Sequence, residues 1–151
     1  MSITVKVNLG YLKNPTIDLT KDMVKASDLV AQEMRGNVKA GLDVHGNTLR
    51  PNKPEYAKRK MKLYGHARPL IAKDRSLVSP SSYRIQEKGR NHVRITLPNF
   101  HSRSDLRVGE IGYIHNFGLG NNPVREFAGV TEFAKKRVVA FLRDKIARLF
   151  K

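Results

Sequence analysis

The chain has 151 residues, with 29 Lys+Arg against 13 Asp+Glu, a formal net charge of +16, and 40% hydrophobic residues. That length holds one domain with a real core, and the apolar content argues against wholesale disorder. With no Cys, disulfide scaffolds, thiol catalysis and Cys-ligated zinc or iron–sulfur sites are excluded; no apolar run nears the roughly 18 residues of a membrane span, and residues 1–9 lack a signal-peptide core.

Ile3, Val5, Val7 and Leu9 alternate with Thr4, Lys6 and Asn8, which predicts a half-buried strand ended by Gly10 and Asn14-Pro15. Thr20 is placed to cap a helix whose apolar positions Met23, Ala26, Val30, Met34 and Val38 recur at three- and four-residue steps. Asp18 and Asp22 suit the positive end of its dipole and Arg35 and Lys39 the negative end. Gly36 weakens its last turns and Gly41 ends them. Residues 43–53 carry turn chemistry around Gly46, Asn47, Pro51 and Asn52. Pro54 then suits the first turn of a short helix, with Ala57, Met61 and Tyr64 on one face and Lys58, Arg59 and Lys62 away from it.

Residues 65–82 read as irregular, anchored by Leu70, Ile71 and Leu77. A hairpin follows: Tyr83 and Ile85, a turn over 88–91, then Val93, Ile95 and Leu97 alternating with His92, Arg94 and Thr96, closed by Pro98. Residues 99–107 are basic and aperiodic, an exposed mobile loop in which Arg103 and Arg107 would order on assembly. Five glycines fall between Gly109 and Gly129 around the short apolar run Ile111, Tyr113, Ile114. Val130-Thr131 opens a long helix to Phe150 with Ala134, Val138, Phe141, Leu142, Ile146 and Leu149 on one stripe. Val139 and Phe150 widen that stripe to roughly half the circumference. Either the helix is packed on two sides within the monomer or a neighbouring subunit covers part of it. The expected fold is α+β: a small, mostly antiparallel sheet packed with an N-terminal helix and a long C-terminal helix, one domain over 1–151.

The charge is uneven. Residues 1–44 hold 6 basic and 5 acidic side chains, residues 45–107 hold 15 and 4, and residues 108–151 hold 8 and 4. So large a single-sign excess destabilises a compact chain unless a polyanion or an acidic protein surface offsets it. Arg50, Lys53, Lys58, Arg59, Lys60 and Lys62 are candidates for a surface facing DNA or an acidic partner; a merely solvated face is the plain alternative. Tyr56 and Tyr64 lie among them and would either stack on bases or pack in the core. His45, His66, His92, His101 and His115 form no metal-ligand spacing. Walker, GxGxxG and GxSxG motifs are absent, as are a nuclease carboxylate–x–Lys step and a helix-turn-helix signature. The chain is therefore not expected to be an enzyme or to carry a cofactor or metal.

Two segments together are informative. Gly46 to Lys60, containing Pro51, Pro54, Tyr56 and Ala57, is followed by Arg68-Pro69-Leu70-Ile71. Later comes Ile114-His115-Asn116-Phe117-Gly118, then Pro123-Val124-Arg125-Glu126-Phe127-Ala128-Gly129 directly before the last helix. In this order and spacing, across roughly residues 43–150, the chain resembles the virion morphogenesis, or tail-completion, family of tailed bacteriophages. It departs from the family at Lys73-Asp74-Arg75-Ser76-Leu77, where a turn glycine is usual, and the basic loop 98–107 is its own.

The resemblance implies a non-enzymatic protein of the virion neck and tail, assembled in the host cytoplasm. It would form a homo-oligomeric ring, commonly of six subunits, beside head-connector and tail-tube or tail-terminator proteins. Nonspecific contact with genomic DNA and no membrane contact would be expected. Tyr56, His115, Phe117, Gly118, Arg125, Phe127 and Phe141 are its candidate motif or subunit-interface residues. Arg125 would bond a carboxylate or a helix-end carbonyl, Phe127 would set the last helix by burial, and His115 would be held by a hydrogen bond. Joining the head and capping the tail both remain open. The rival readings are a nonspecific nucleic-acid-binding protein, recognised by steeply salt-dependent binding without a ring, and a nuclease.

Overall fold

The computed structural model describes residues 2–6, 17–71, 77–97 and 108–150. Val7, Leu9, the 72–76 turn and the 98–107 loop with Arg103 and Arg107 lie outside the described residues. The order is β1 (Ser2–Lys6), α1 (Thr20–Ala40), α2 (Pro54–Tyr64), a 3-10 turn (Pro80–Ser82), β2 (Arg84–Gly89), β3 (His92–Thr96), α3 (Val108–Phe117) and α4 (Glu132–Leu149). The fold is α+β, an antiparallel sheet with an N-terminal helix and a long C-terminal helix packed together.

The strands run in the order β1-β3-β2, all neighbours antiparallel. Ile95 is in register with Ile3 of β1 on one side and Ile85 of β2 on the other. Along β3, Val93 and Ile95 are buried while His92, Arg94 and Thr96 are half-buried, the period-two pattern of a strand packed on one face. α1 lies against β2, β3 and α4. Its buried positions Met23, Ala26, Val30, Met34 and Val38 are those its periodicity predicts, with Ser27 and Ala31 filling the stripe. Each large apolar side chain so buried contributes about 1.5–3 kcal/mol. Gly41 ends the helix at φ +78°, its N–H donating to the Val38 carbonyl at 3.2 Å.

Thr20 does not cap α1. Leu19 is the N-cap, and Thr20 is the first helical residue. Its hydroxyl accepts from the Asn91 N–H at 3.0 Å, while the Asn91 side chain accepts from the Leu19 N–H at 2.7 Å and donates to the Ile17 carbonyl at 3.1 Å. Asn91 is the hairpin-turn residue at φ +55°. It ties that turn to the orphan donors at the helix start and so does the cap's work from a distance.

The pattern leaves three things out. On α2, Ala57 and Tyr64 are half-buried and Lys58, Arg59 and Lys62 exposed, as expected, but Met61 is 52% exposed and Lys60 is buried between Ala57 and Tyr64. The run Ile111, Tyr113, Ile114 is helical, and α3 buries Val108, Gly109, Gly112 and Asn116 instead of its large side chains. The wide stripe on α4 is not packed on two sides within the monomer: Ala134, Val138 and Leu142 are buried and Phe141 and Ile146 pack half-buried beside them, while Val139, Leu149 and Phe150 are exposed, which leaves the alternative of cover by a neighbouring subunit. Thr131 does cap α4, its hydroxyl accepting from the Ala134 N–H at 3.0 Å.

Candidate functional site

The run from Ile114 to Gly129 is one folded unit. Gly118, at φ +66°, turns the chain after α3; a Cβ there would stand 2.6 Å from Val124 Cγ2. The returning segment pairs with the helix it has left. The Arg125 N–H donates to the His115 carbonyl at 2.8 Å, and the Ala128 N–H to the buried Asn116 side chain at 3.0 Å. The Phe127 ring, fully buried, lies on Gly112, where a Cβ would meet its Cζ at 3.2 Å and Leu97 Cδ1 at 2.9 Å. The Val44 N–H donates to the Glu126 carbonyl at 2.8 Å, joining the loop after α1 to the same strip. Phe127 is buried as expected, and the contacts it makes here are with Gly112 of α3, beside Leu97.

Arg125 is only 3% exposed. Its Nε donates to the Arg50 carbonyl at 2.8 Å, and one terminal nitrogen donates to the Pro51 carbonyl at 2.9 Å and to Asn52 Oδ1 at 3.0 Å. The other terminal nitrogen donates to His115 Nδ1 at 3.2 Å. The expected carboxylate or helix-end partner is replaced by carbonyls of the loop before α2. The guanidinium fork fits because consecutive carbonyls in a tight turn present acceptors side by side. Arg125 thus staples the 50–52 loop, which leads into α2, to α3, and one side chain of α2 turns inward beside it.

Lys60 is that inward side chain, also 3% exposed, donating to the Arg68 carbonyl. With Lys53, Arg59, His115 and Arg125 it lines a cavity of about 590 Å³ between α2, α3 and the 121–125 loop. Leu70, Ile71, Leu77, Val108 and Ile111 form the apolar wall, and no Asp or Glu is among the described residues lining it. Burial, and then the Arg125 charge, pull the Lys60 ammonium down to about 8. Burial first, then the Arg125 and Lys60 charges, push His115 down to about 4. Burial also lowers Arg125. All three shifts have the direction of positive charge held out of water without a counter-charge.

The six basic candidates therefore do not form one face. Lys53 and Arg59 are exposed at the cavity rim, with Arg59 5.3 Å from the Tyr56 ring. Lys60 leaves the surface set altogether. Lys58, Lys62 and Arg50 are exposed but are not among the described residues lining the cavity; Arg50 is tied to the site only by its carbonyl, which accepts from Arg125. Tyr56 and Tyr64 both line the cavity, partly exposed, so they pack beside Lys60 instead of entering the core.

Exposed aromatic side chains stand on two helices. Tyr113 and Phe117 form a pair on α3 with ring centroids 4.7 Å apart; Phe133, 62% exposed on the first turn of α4, stands beside Val44 and His45. Phe141 is not among them: the ring packs half-buried on the core, with Lys145 Nζ 5.5 Å away. Asn52, Gly112 and Asn116 carry the geometry of the unit without any prior sequence signal beyond small size or turn propensity.

Among the described residues no group of three or more His, Asp or Glu could hold a metal ion, and no helix is long and apolar enough to cross a membrane. No family model, curated protein or solved structure significantly matches the chain.

Proposed function

We propose that this chain is a structural, non-enzymatic protein of a tailed-phage virion that self-assembles at the neck or tail end, as its motif order implies. The observation that carries the reading is the exposed aromatic pair Tyr113 and Phe117 on α3, with ring centroids 4.7 Å apart. Aromatic side chains paired in the open favour burial against another protein surface. The Gly118–Gly129 strip supports this role because its hydrogen bonds and glycine contacts tie down the end of α3, so the pair is presented in a fixed arrangement. A homo-oligomeric ring docking on head-connector and tail proteins is the arrangement proposed. Basic side chains along it would tolerate passing DNA.

The test is the mass of the purified full chain by light scattering and negative-stain imaging at moderate salt, with and without DNA. A discrete ring that forms without DNA and is lost in Phe117→Glu, with the fold intact by circular dichroism, is the expected result. Rings that survive both Tyr113→Glu and Phe117→Glu would refute this surface as the interface. Phe141→Glu is a poor probe, since it would damage the monomer core. The exposed Lys58, Arg59 and Lys62 on α2 favour, as a second reading, a nonspecific nucleic-acid binder. A monomer at all concentrations, binding short DNA with a steep salt dependence, would select it.

A further inference from the structure

We propose that the cavity between α2 and α3 is a receptor for a carboxylate side chain of a partner polypeptide, with Lys60 and Arg125 as its grip. The inference stands apart from the ring reading, because a monomeric basic protein would carry the same receptor. Two cationic side chains, each 3% exposed, border one cavity of about 590 Å³ with no acidic side chain among the described lining residues. Burying a charge is costly unless it is paired, and here the nearest described interactions are with carbonyls, an amide and an imidazole.

The donors are not exhausted. A guanidinium has five N–H groups and an ammonium three. The bonds formed by Arg125 use four of its five, and Lys60 uses one of its three. Three donors therefore remain for an acceptor in the cavity, among the described residues. A carboxylate has two oxygens and about four lone-pair sites, and charge-assisted bonds to it are the strong kind.

The opposite wall selects the source of the anion. Leu70, Ile71, Leu77, Val108 and Ile111 offer apolar surface next to the two cations. A Glu or Asp side chain inserted from a protein brings methylene carbon and neighbouring apolar residues for that wall. A DNA phosphate brings flanking sugars and further charges, which the wall would desolvate without compensation. The described geometry thus favours an acidic side chain on a protein.

The experiment follows the Lys60 side chain by NMR in the full-length protein with isotope-labelled lysines, assigned by comparison with Lys60→Met. Acetyl-Glu-amide, inorganic phosphate and a short DNA duplex are titrated separately. The expected result is that acetyl-Glu-amide raises the Lys60 pKa from about 8 toward the ordinary 10.5, since an anion favours the charged ammonium. Its affinity should fall roughly tenfold or more between pH 7 and pH 9.5, as the free ammonium deprotonates, and Lys60→Met should lose at least tenfold at pH 7. No displacement of the Lys60 signals at saturating solubility of acetyl-Glu-amide would overturn the proposal. A response to phosphate or duplex with none to the carboxylate would overturn it in favour of nucleic acid. A free-protein Lys60 pKa already near 10.5 that drops in Asp74→Asn would overturn it in favour of the chain's own carboxylate.

Discussion

Arg125 donates to Nδ1 of His115 across 3.2 Å, which fixes the imidazole as a neutral acceptor with its proton on Nε2, because a guanidinium cannot accept. Protonating His115 would set a second positive charge against Arg125. Its pKa in the folded chain is accordingly pushed down to about 4 from 6.5, first by burial and then by Arg125 and Lys60. Between those values the unfolded chain binds the proton and the folded chain does not. Stability is then full above about pH 6.5 and is lost as pH falls toward 4.

Urea midpoints measured from pH 7.5 to pH 4 are expected to show that loss, on the order of 2 kcal/mol. His115→Gln, which keeps an acceptor for Arg125 but cannot titrate, should flatten the profile. An unchanged slope in the variant would assign the acid sensitivity to other groups.

Lys60 has the opposite window. Its folded pKa of about 8 lies below the ordinary 10.5, so the cost of holding the charge is fully present below pH 8 and disappears as pH rises toward 10.5. Lys60→Met removes the charge and keeps the length of the side chain. It is expected to raise stability at pH 7 by on the order of 1–3 kcal/mol, with the advantage over the parent shrinking by pH 10. A variant less stable than the parent at pH 7 would mean that the Arg68 carbonyl bond outweighs the buried charge.

That inward lysine shows where reading from sequence stops. Periodicity reports apolar burial, so α1, β3 and the core stripe of α4 were legible: Met23, Val30, Ile95 and Leu142 are buried where their spacing puts them. On α2 the same rule found Ala57 and Tyr64 but put Met61 inside where Lys60 lies, and it could not register Arg125 gripping the carbonyls of Arg50 and Pro51, 75 and 74 residues away. Backbone acceptors carry no residue signature. α3 was hidden for a related reason: its buried positions include Gly109, Gly112 and Asn116, small or polar residues that no hydrophobic pattern registers. Arg125 and Phe127 were identifiable as important from motif order, but their partners were not.

Two glycines should respond in opposite directions to the same substitution. Gly118→Ala meets Val124 Cγ2 at 2.6 Å at φ +66°, whereas Gly36, inside α1, has nothing within 4 Å of an added Cβ. The first is expected to destabilise by about 2 kcal/mol or more, from strain and overpacking together. The second should stabilise by about 0.5–1 kcal/mol, since an exposed helix interior gains from alanine. Thermal melts of the two variants decide it. Equal effects would mean that the turn after α3 can relax and that the strip from Val124 to Gly129 is not held as tightly as its contacts imply.

The split among the basic side chains has its own consequence for polyanions. Lys58 and Lys62 are exposed, and Lys60 between them in sequence is buried. Counter-ions condensed on DNA are released only by cations that reach the phosphates, with a slope of about −0.9 per contact. In binding to a short duplex, Lys58→Gln/Lys62→Gln is therefore expected to flatten the plot of log affinity against log salt by up to about 2. Lys60→Met, although it removes a charge from the same helix, should leave that slope unchanged. Either single variant, Lys58→Gln or Lys62→Gln, removes the same one charge as Lys60→Met, so comparing them cancels net charge as an explanation. A slope that falls as much in Lys60→Met as in either single variant would place Lys60 at the phosphates and turn that side of α2 outward.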